Sequence, residues 1–133
     1  DRLTEKYGYY IEYHPKPLGD TDWNGSGMHA NFSNNILRTC GDQATYEKIC
    51  EAFRPVTKEH IAVYGLHNSE RLTGAHETSS INEFSYGFST RDTSIRIPAQ
   101  AIVEGKGYFE DRRPSANCDP YLVTSAIFKT TCL

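Results

Sequence analysis

Five arginines lie between Arg71 and Arg113, and their positions relative to alternating residues limit the folds open to this chain. The segments are RLTGAHET (71–78), TRDTSIRIP (90–98) and GYFEDRRP (107–114). In a strand, successive side chains point to opposite faces. Ile95 and Ile97 therefore point one way, and Arg96 the other way with Ser94. In YFEDRR, Glu110 and Arg112 share a face opposite Asp111 and Arg113. Guanidinium groups on the inner part of a sheet are costly unless they meet anions, and their planar forks suit carboxylate and phosphate oxygens. The pattern predicts a sheet with one apolar face and one face built to hold an anionic substrate.

The 133 residues fit one modest domain. A formal charge of -3 gives no drive toward nucleic acid or an acidic membrane, so the arginines point to a small anionic ligand. No apolar run approaches the roughly 20 residues that span a bilayer, and no signal-peptide pattern opens the chain. Cys40, Cys50, Cys118 and Cys132 are widely spaced and read as reduced thiols of a cytoplasmic protein. Together with His14, His29, His60, His67 and His76 they give no zinc-type ligand spacing. The chain starts at Asp1, and residues 2–10 read as the middle of an element, which suggests a piece of a longer protein.

Alternation and β-branched or aromatic content predict a strand over residues 9–14, ended by Pro15 and Pro17. DTDWNGSG (20–27) is a polar, glycine-rich loop, and residues 28–33 alternate again, with His29, Asn31 and Ser33 on one face. Tyr46, Ile49, Cys50 and Phe53 recur at helical spacing until Pro55. Thr57 is expected to N-cap a second short helix reaching Tyr64. Residues 84–89 and 93–97 read as strands joined through Thr90, Arg91 and Asp92, and 108–112 as another after the turn Gly105-Lys106-Gly107. Asp119 caps and Pro120 opens a last helix, with Leu122, Val123, Ala126 and Ile127 on its buried side. The sum is an α/β (α+β) domain with a mostly antiparallel, hairpin-joined sheet and helices on one face.

Three strands then present polar groups together: His29, Asn31 and Ser33; Ser94 and Arg96; Glu110 and Arg112. Such a face is ordinarily just solvated. Solvated faces are rich in Lys, Glu and Thr, whereas this one carries arginine, glutamate, histidine and asparagine without lysine. Glu110 and His29 offer donors suited to Mg²⁺ or Mn²⁺, although two ligands do not complete a site. Asp111 and Arg113 read as a structural ion pair on the opposite face. Arg71 and Glu77 flank Gly74 and His76 on a loop that can close over a substrate and take a proton.

The segments NGSGMHANFS, RLTGAHET, SIRIP and EDRRPSANCDPY, in this order, resemble the catalytic domain of glutamine synthetase, most closely the type II form common in eukaryotes and some bacteria. The likeness runs from KYGYYIEYHPKP at about Tyr7 to the last residue. The family joins ammonia to glutamate at the expense of ATP through a γ-glutamyl phosphate. The resemblance implies that His29 and Glu110 are metal ligands, for Mg²⁺ or Mn²⁺. It implies that Arg91 and Arg96 neutralise phosphoryl charge, Arg91 catalytically and Arg96 at the nucleotide, with Ser33 and Tyr108 nearby. Arg71 and Arg112 would clamp glutamate, with Asn24 and Gly25 from the loop. Glu77 matches the flap glutamate that shields the intermediate and takes a proton from ammonium.

The acidic strand motifs that supply the family's other metal ligands, and its small N-terminal domain, are not in these 133 residues. The expectation is therefore a partial catalytic domain over 1–133, inactive alone. It would be monomeric or weakly associated where its parent forms a ring of subunits. An amine-using γ-glutamyl ligase of the same superfamily and a non-catalytic structural relative are the alternatives, against which the type II motifs and the retained arginines, Glu77 and Glu110 argue. Guanidino kinases, with a related antiparallel sheet, resemble the chain only at the level of fold.

Overall fold

A computed structural model describes residues 1–132. Four short strands, Ala30–Phe32 (β1), Tyr86–Phe88 (β2), Ile95–Ile97 (β3) and Phe109–Asp111 (β4), form one sheet in the order β1-β4-β3-β2. The helices are Arg2–Glu5 (α1), Asn35–Cys40 (α2), Gln43–Phe53 (α3), Thr57–Val63 (α4), Ala99–Glu104 (α5) and Pro120–Thr131 (α6). A 3₁₀ turn occupies Asn68–Glu70.

The expected alternation sets the layers. Ile95, Ile97 and Phe109 are fully buried and join Leu37, Tyr46, Cys50, Phe53, Tyr64, Val123 and Ile127 in one core beneath the sheet. Helix α6 packs on α3, α4 and β1. Its entry is as expected: Asp119 accepts from the Tyr121 N–H at 2.8 Å, and Pro120 takes the first turn, where its missing N–H costs nothing. Val123, Ile127 and Thr130 are its buried residues and Ala126 is half-buried, but Leu122 is half exposed, one step round the helix from the core-facing stripe.

The strand pairings β1·β4 and β3·β4 are antiparallel, as expected, whereas β2 and β3 run parallel rather than as a hairpin. A three-residue strand is only about 10 Å long, and six linking residues reach about 20 Å, so residues 89–94 can return the chain to its starting end. Ser89, at φ 58°, begins the return, and the Thr90 and Thr93 hydroxyls meet at 3.0 Å inside it.

Residues 9–14 form no strand. Alternation makes a segment competent for pairing, but among the described residues no neighbouring edge receives it, and Tyr9, Tyr10 and Tyr13 are exposed. Thr57 is the first residue of α4 rather than its cap. Val56 holds the cap position, and the Thr57 hydroxyl donates back to the Phe53 carbonyl at 3.0 Å. Helices α2 and α5 arise where the sequence reading placed nothing. Asn34 caps α2 by accepting from the Leu37 N–H at 2.8 Å, and Gly105 ends α5 in the left-handed region at φ 63°.

Candidate functional site

The register builds the site row by row. Asn31 pairs with Glu110, Glu110 with Arg96, and Arg96 with Gly87, giving one row across all four strands. Continuing the β1·β4 ladder by two residues each way sets His29 opposite Arg112 and Ser33 opposite Tyr108. These positions lie on the same face, about 7 Å from the central row. Gly87 contributes no side chain beside Arg96.

Glu110 is the hub. Its Oε1 lies 2.8 Å from His29 Nδ1, and its Oε2 lies 3.3 Å from Arg112 Nη1. Arg96 Nε stands 2.9 Å from the same Oε2, but the angle is wrong for a hydrogen bond, so this is an ion-pair contact and Nε keeps an unused donor. Arg112 Nε is likewise buried with no hydrogen-bond partner among the described residues. Buried donors of this kind are costly, and an incoming anion would satisfy them. Burial, then the positive charge of Arg112, lowers the His29 pKa against the raising effect of Glu110. The imidazole is therefore neutral near pH 7, donates Nδ1–H to Glu110 and leaves Nε2 as an acceptor.

Arg71 lies beside this face, under the main chain that follows β4. Its Nη2 donates to the carbonyls of Arg112, Arg113 and Pro114 at 3.1, 2.7 and 3.0 Å, and its Nε to Asn68 Oδ1 at 3.2 Å. Burial, then the charge of Arg112, pushes its pKa down to about 10. Gly27 explains how it fits. A Cβ there would stand 2.9 Å from Arg71 Nη1 and 3.2 Å from His29 Nε2, so a larger residue would have to displace one of the two groups. At Gly25, φ 78° and the Pro15 carbonyl 2.5 Å from an added Cβ exclude a side chain for the same reason.

The loop carrying Glu77 arches back toward the sheet. Arg112 Nη2 donates to the Glu77 carbonyl at 3.4 Å, and the exposed Arg91 reaches the Glu77 carboxylate at 3.3 Å. Both His76 and Glu77 have positive φ, 52° and 59°. His76 Nδ1 meets Asp22 at 3.1 Å, joining this loop to the 20–25 loop around a hollow of about 280 Å³ lined by Asp22, Trp23, Asn24, His76 and Glu77. At the other end Ser33 donates to the Gly107 carbonyl at 2.6 Å, and Tyr108 is exposed.

His29, Arg96, Glu110 and Arg112 thus converge directly, with Arg71 behind them, Asn24, Gly25 and Glu77 at one rim and Ser33 and Tyr108 at the other. Arg91 touches Glu77 and no other member of the set. Sequence reasoning missed two supporting residues. Lys16 is buried and its Nζ donates to the carbonyls of Trp23 and Thr21, fixing the 20–25 loop. Asn68 holds both the Arg71 guanidinium and the Arg113 carbonyl. The only sequence sign of Lys16 is its place between two prolines.

As a metal holder, the face offers one carboxylate and one neutral imidazole. These are the right kinds of donor for Mg²⁺ or Mn²⁺ and fewer than a full shell. The guanidiniums beside them suit the anionic oxygens such a metal carries. An α/β domain presenting a carboxylate–imidazole pair ringed by arginines has the charge and the planar donors to meet anionic oxygens.

The family model for the catalytic domain of glutamine synthetase matches residues 1–132, and the chain belongs to this family. A glutamine synthetase of Bradyrhizobium diazoefficiens is 57% identical over 130 residues, covering 97% of this chain and 38% of the relative. One from Yarrowia lipolytica is 51% identical over 131 residues, covering 98% of the chain and 36% of the relative. A cytosolic isozyme from Pinus sylvestris is 47% identical over 133 residues, covering 100% and 37%. The chain thus spans less than two-fifths of the length of these relatives.

Proposed function

We propose that this chain supplies the phosphate- and glutamate-facing part of a glutamine synthetase active site, of the type II form, in ATP-dependent ligation of ammonia to L-glutamate. One observation carries this reading: Glu110 is held by His29 and flanked by Arg96 and Arg112, each with a buried Nε that makes no hydrogen bond among the described residues. The four motif segments and the high identity to fungal and plant relatives support the type II assignment.

On this reading His29 and Glu110 would hold a divalent metal, Mg²⁺ or Mn²⁺, which would neutralise phosphate oxygens. Arg96 orients the nucleotide phosphates, with Ser33 and Tyr108 at the far rim. Arg91 reaches the transferring group from the loop. Arg112 and Arg71 hold the glutamate carboxylate, Arg112 by its open Nε and Arg71 by Nη1, while Asn24 and Gly25 shape the rim. Glu77 covers the acyl phosphate against water and accepts a proton from ammonium. Its carboxylate stands 3.3 Å from Arg91 Nη1, which places it at the mouth of the face.

Two metal donors do not make a working centre, so the 133 residues bind metal and ATP weakly, do not turn over, and associate weakly if at all, whereas the complete enzyme is a ring-shaped homo-oligomer. Its setting is the cytoplasm, in keeping with the cytosolic pine relative. Among the described residues no helix is long and apolar enough to cross a membrane. Backbone NMR titration of the chain with ATP and glutamate in Mg²⁺ tests the reading. Shifts gathered at Arg96, Glu110, Arg112 and the Glu77 loop are expected. Saturating ligand with no shift there would overturn it, and phosphate release at an enzyme's rate would overturn the inactivity.

A further inference from the structure

A second group of metal-ligating side chains lies outside the site above. His14, His67 and Glu70 each offer one donor atom, and all three donors lie within 4.8 Å of one another. Glu70 reaches both rings: Oε1 is 3.2 Å from His67 Nδ1, and Oε2 is 3.7 Å from His14 Nε2. The ring centroids are 5.0 Å apart. Donors bound to one tetrahedral dication at about 2.0–2.2 Å stand about 3.3 Å from each other, so modest rotation of exposed side chains closes the set. Because His14 lies far from the other two in sequence, no ligand spacing reveals it. Residue His67 holds its ring in place from a left-handed backbone, φ 56°.

We infer that His14, His67 and Glu70 form a binding site for a zinc-class dication, distinct from the magnesium-class face at His29 and Glu110. Two imidazoles and one carboxylate are the donor set of zinc, and Mg²⁺ prefers oxygen. Three protein ligands leave a fourth position for water. Binding has an internal cost. His14 Nδ1 accepts the Lys16 backbone N–H at 3.0 Å, so the neutral ring carries its proton on Nε2. To bind through Nε2 that proton moves to Nδ1, with no net gain or loss, and the Lys16 N–H is released. The site is therefore of moderate affinity. Occupancy would tie the segment entering Lys16 to the 3₁₀ turn entering Arg71, the two segments that frame the candidate site from below.

Calorimetric titration of the 133-residue chain with ZnCl₂ and with MgCl₂ tests this independently of any nucleotide or glutamate binding. One Zn²⁺ per chain is expected, undisturbed by excess Mg²⁺. His67→Asn keeps a residue tolerant of the left-handed backbone and should weaken Zn²⁺ at least about tenfold, as losing even outer-shell partners does. Glu70→Gln should do the same. Imidazole NMR provides the second readout: the first equivalent of Zn²⁺ should shift the His14 and His67 rings. No Zn²⁺ binding to the wild-type chain, an unchanged affinity in His67→Asn, or a first equivalent that shifts His29 and leaves those two rings in place would each overturn the inference.

Discussion

Asp111 and Arg113 sit one position out of step with Glu110 and Arg112, and so on the core side of β4. Arg113 Nη2 meets Asp111 Oδ2 at 2.7 Å with both side chains buried, and Tyr64 donates to the same oxygen at 2.7 Å. Burial works to raise the Asp111 pKa, but Arg113 and the hydrogen bonds hold it below the ordinary carboxylate value. This pair fixes the strand whose other face carries the site. Arg113→Met, which strands the carboxylate, should destabilise the chain by about 3–5 kcal/mol, and Asp111→Leu/Arg113→Met together by much less. Urea unfolding of the two variants checks the difference. His60 completes the network, with Nε2 on Thr130 at 2.8 Å and Nδ1 facing Arg113 Nη2 at 3.1 Å. Burial, then the Arg113 charge, lowers its pKa from 6.5 to about 4. Between these values the unfolded state binds more protons, so the stability contributed by this ring is present above about 6.5 and lost as pH falls toward 4, a loss on the order of 3 kcal/mol. Asp111 loses its own share only further down. Unfolding free energies measured across this range should slope accordingly, and His60→Gln should flatten the slope.

At the scale of elements, Gly65 shows how tightly helix α4 is tied to the chain after β4. It has φ 107°, and a Cβ there would stand 1.9 Å from Ser115 Oγ and 2.4 Å from Asn117 Oδ1. Asn117 in turn accepts the Leu66 N–H and donates to the Leu66 carbonyl, at 2.9 and 3.1 Å. Gly65→Ala should destabilise by more than about 1 kcal/mol, since both the backbone and the space are incompatible, and thermal melts would report it. The elements also show what local pattern can and cannot carry. Alternation at 95–97 and 108–112 fixed which side chains share a face, so the polar row and the buried pair were both legible. The parallel run of β2 was not, because strand direction depends on how a six-residue return folds. The segment 9–14 has strand character but finds no partner strand among the described residues, and only pairing makes a strand. Lys16 and Asn68 escaped notice because their work is done on carbonyls of residues distant in sequence.

For the whole molecule, the sheet divides the chain into a core side stapled by one buried ion pair and a working side where three strands bring charge together. Glu110 joins the parts of the working side, since it alone touches His29, Arg96 and Arg112. Removing its charge while keeping its shape, as Glu110→Gln, leaves the two guanidiniums without their anion and the proposed metal pair without its carboxylate. Metal-dependent and metal-independent nucleotide affinity should then part company. The most direct measurement is ATP binding to the 133-residue chain by calorimetry with and without Mn²⁺. The wild-type chain should bind more tightly with Mn²⁺. Glu110→Gln should lose that gain, and Arg96→Ala should weaken binding in both conditions. Mn²⁺-enhanced binding that survives intact in Glu110→Gln and Arg96→Ala would contradict the account.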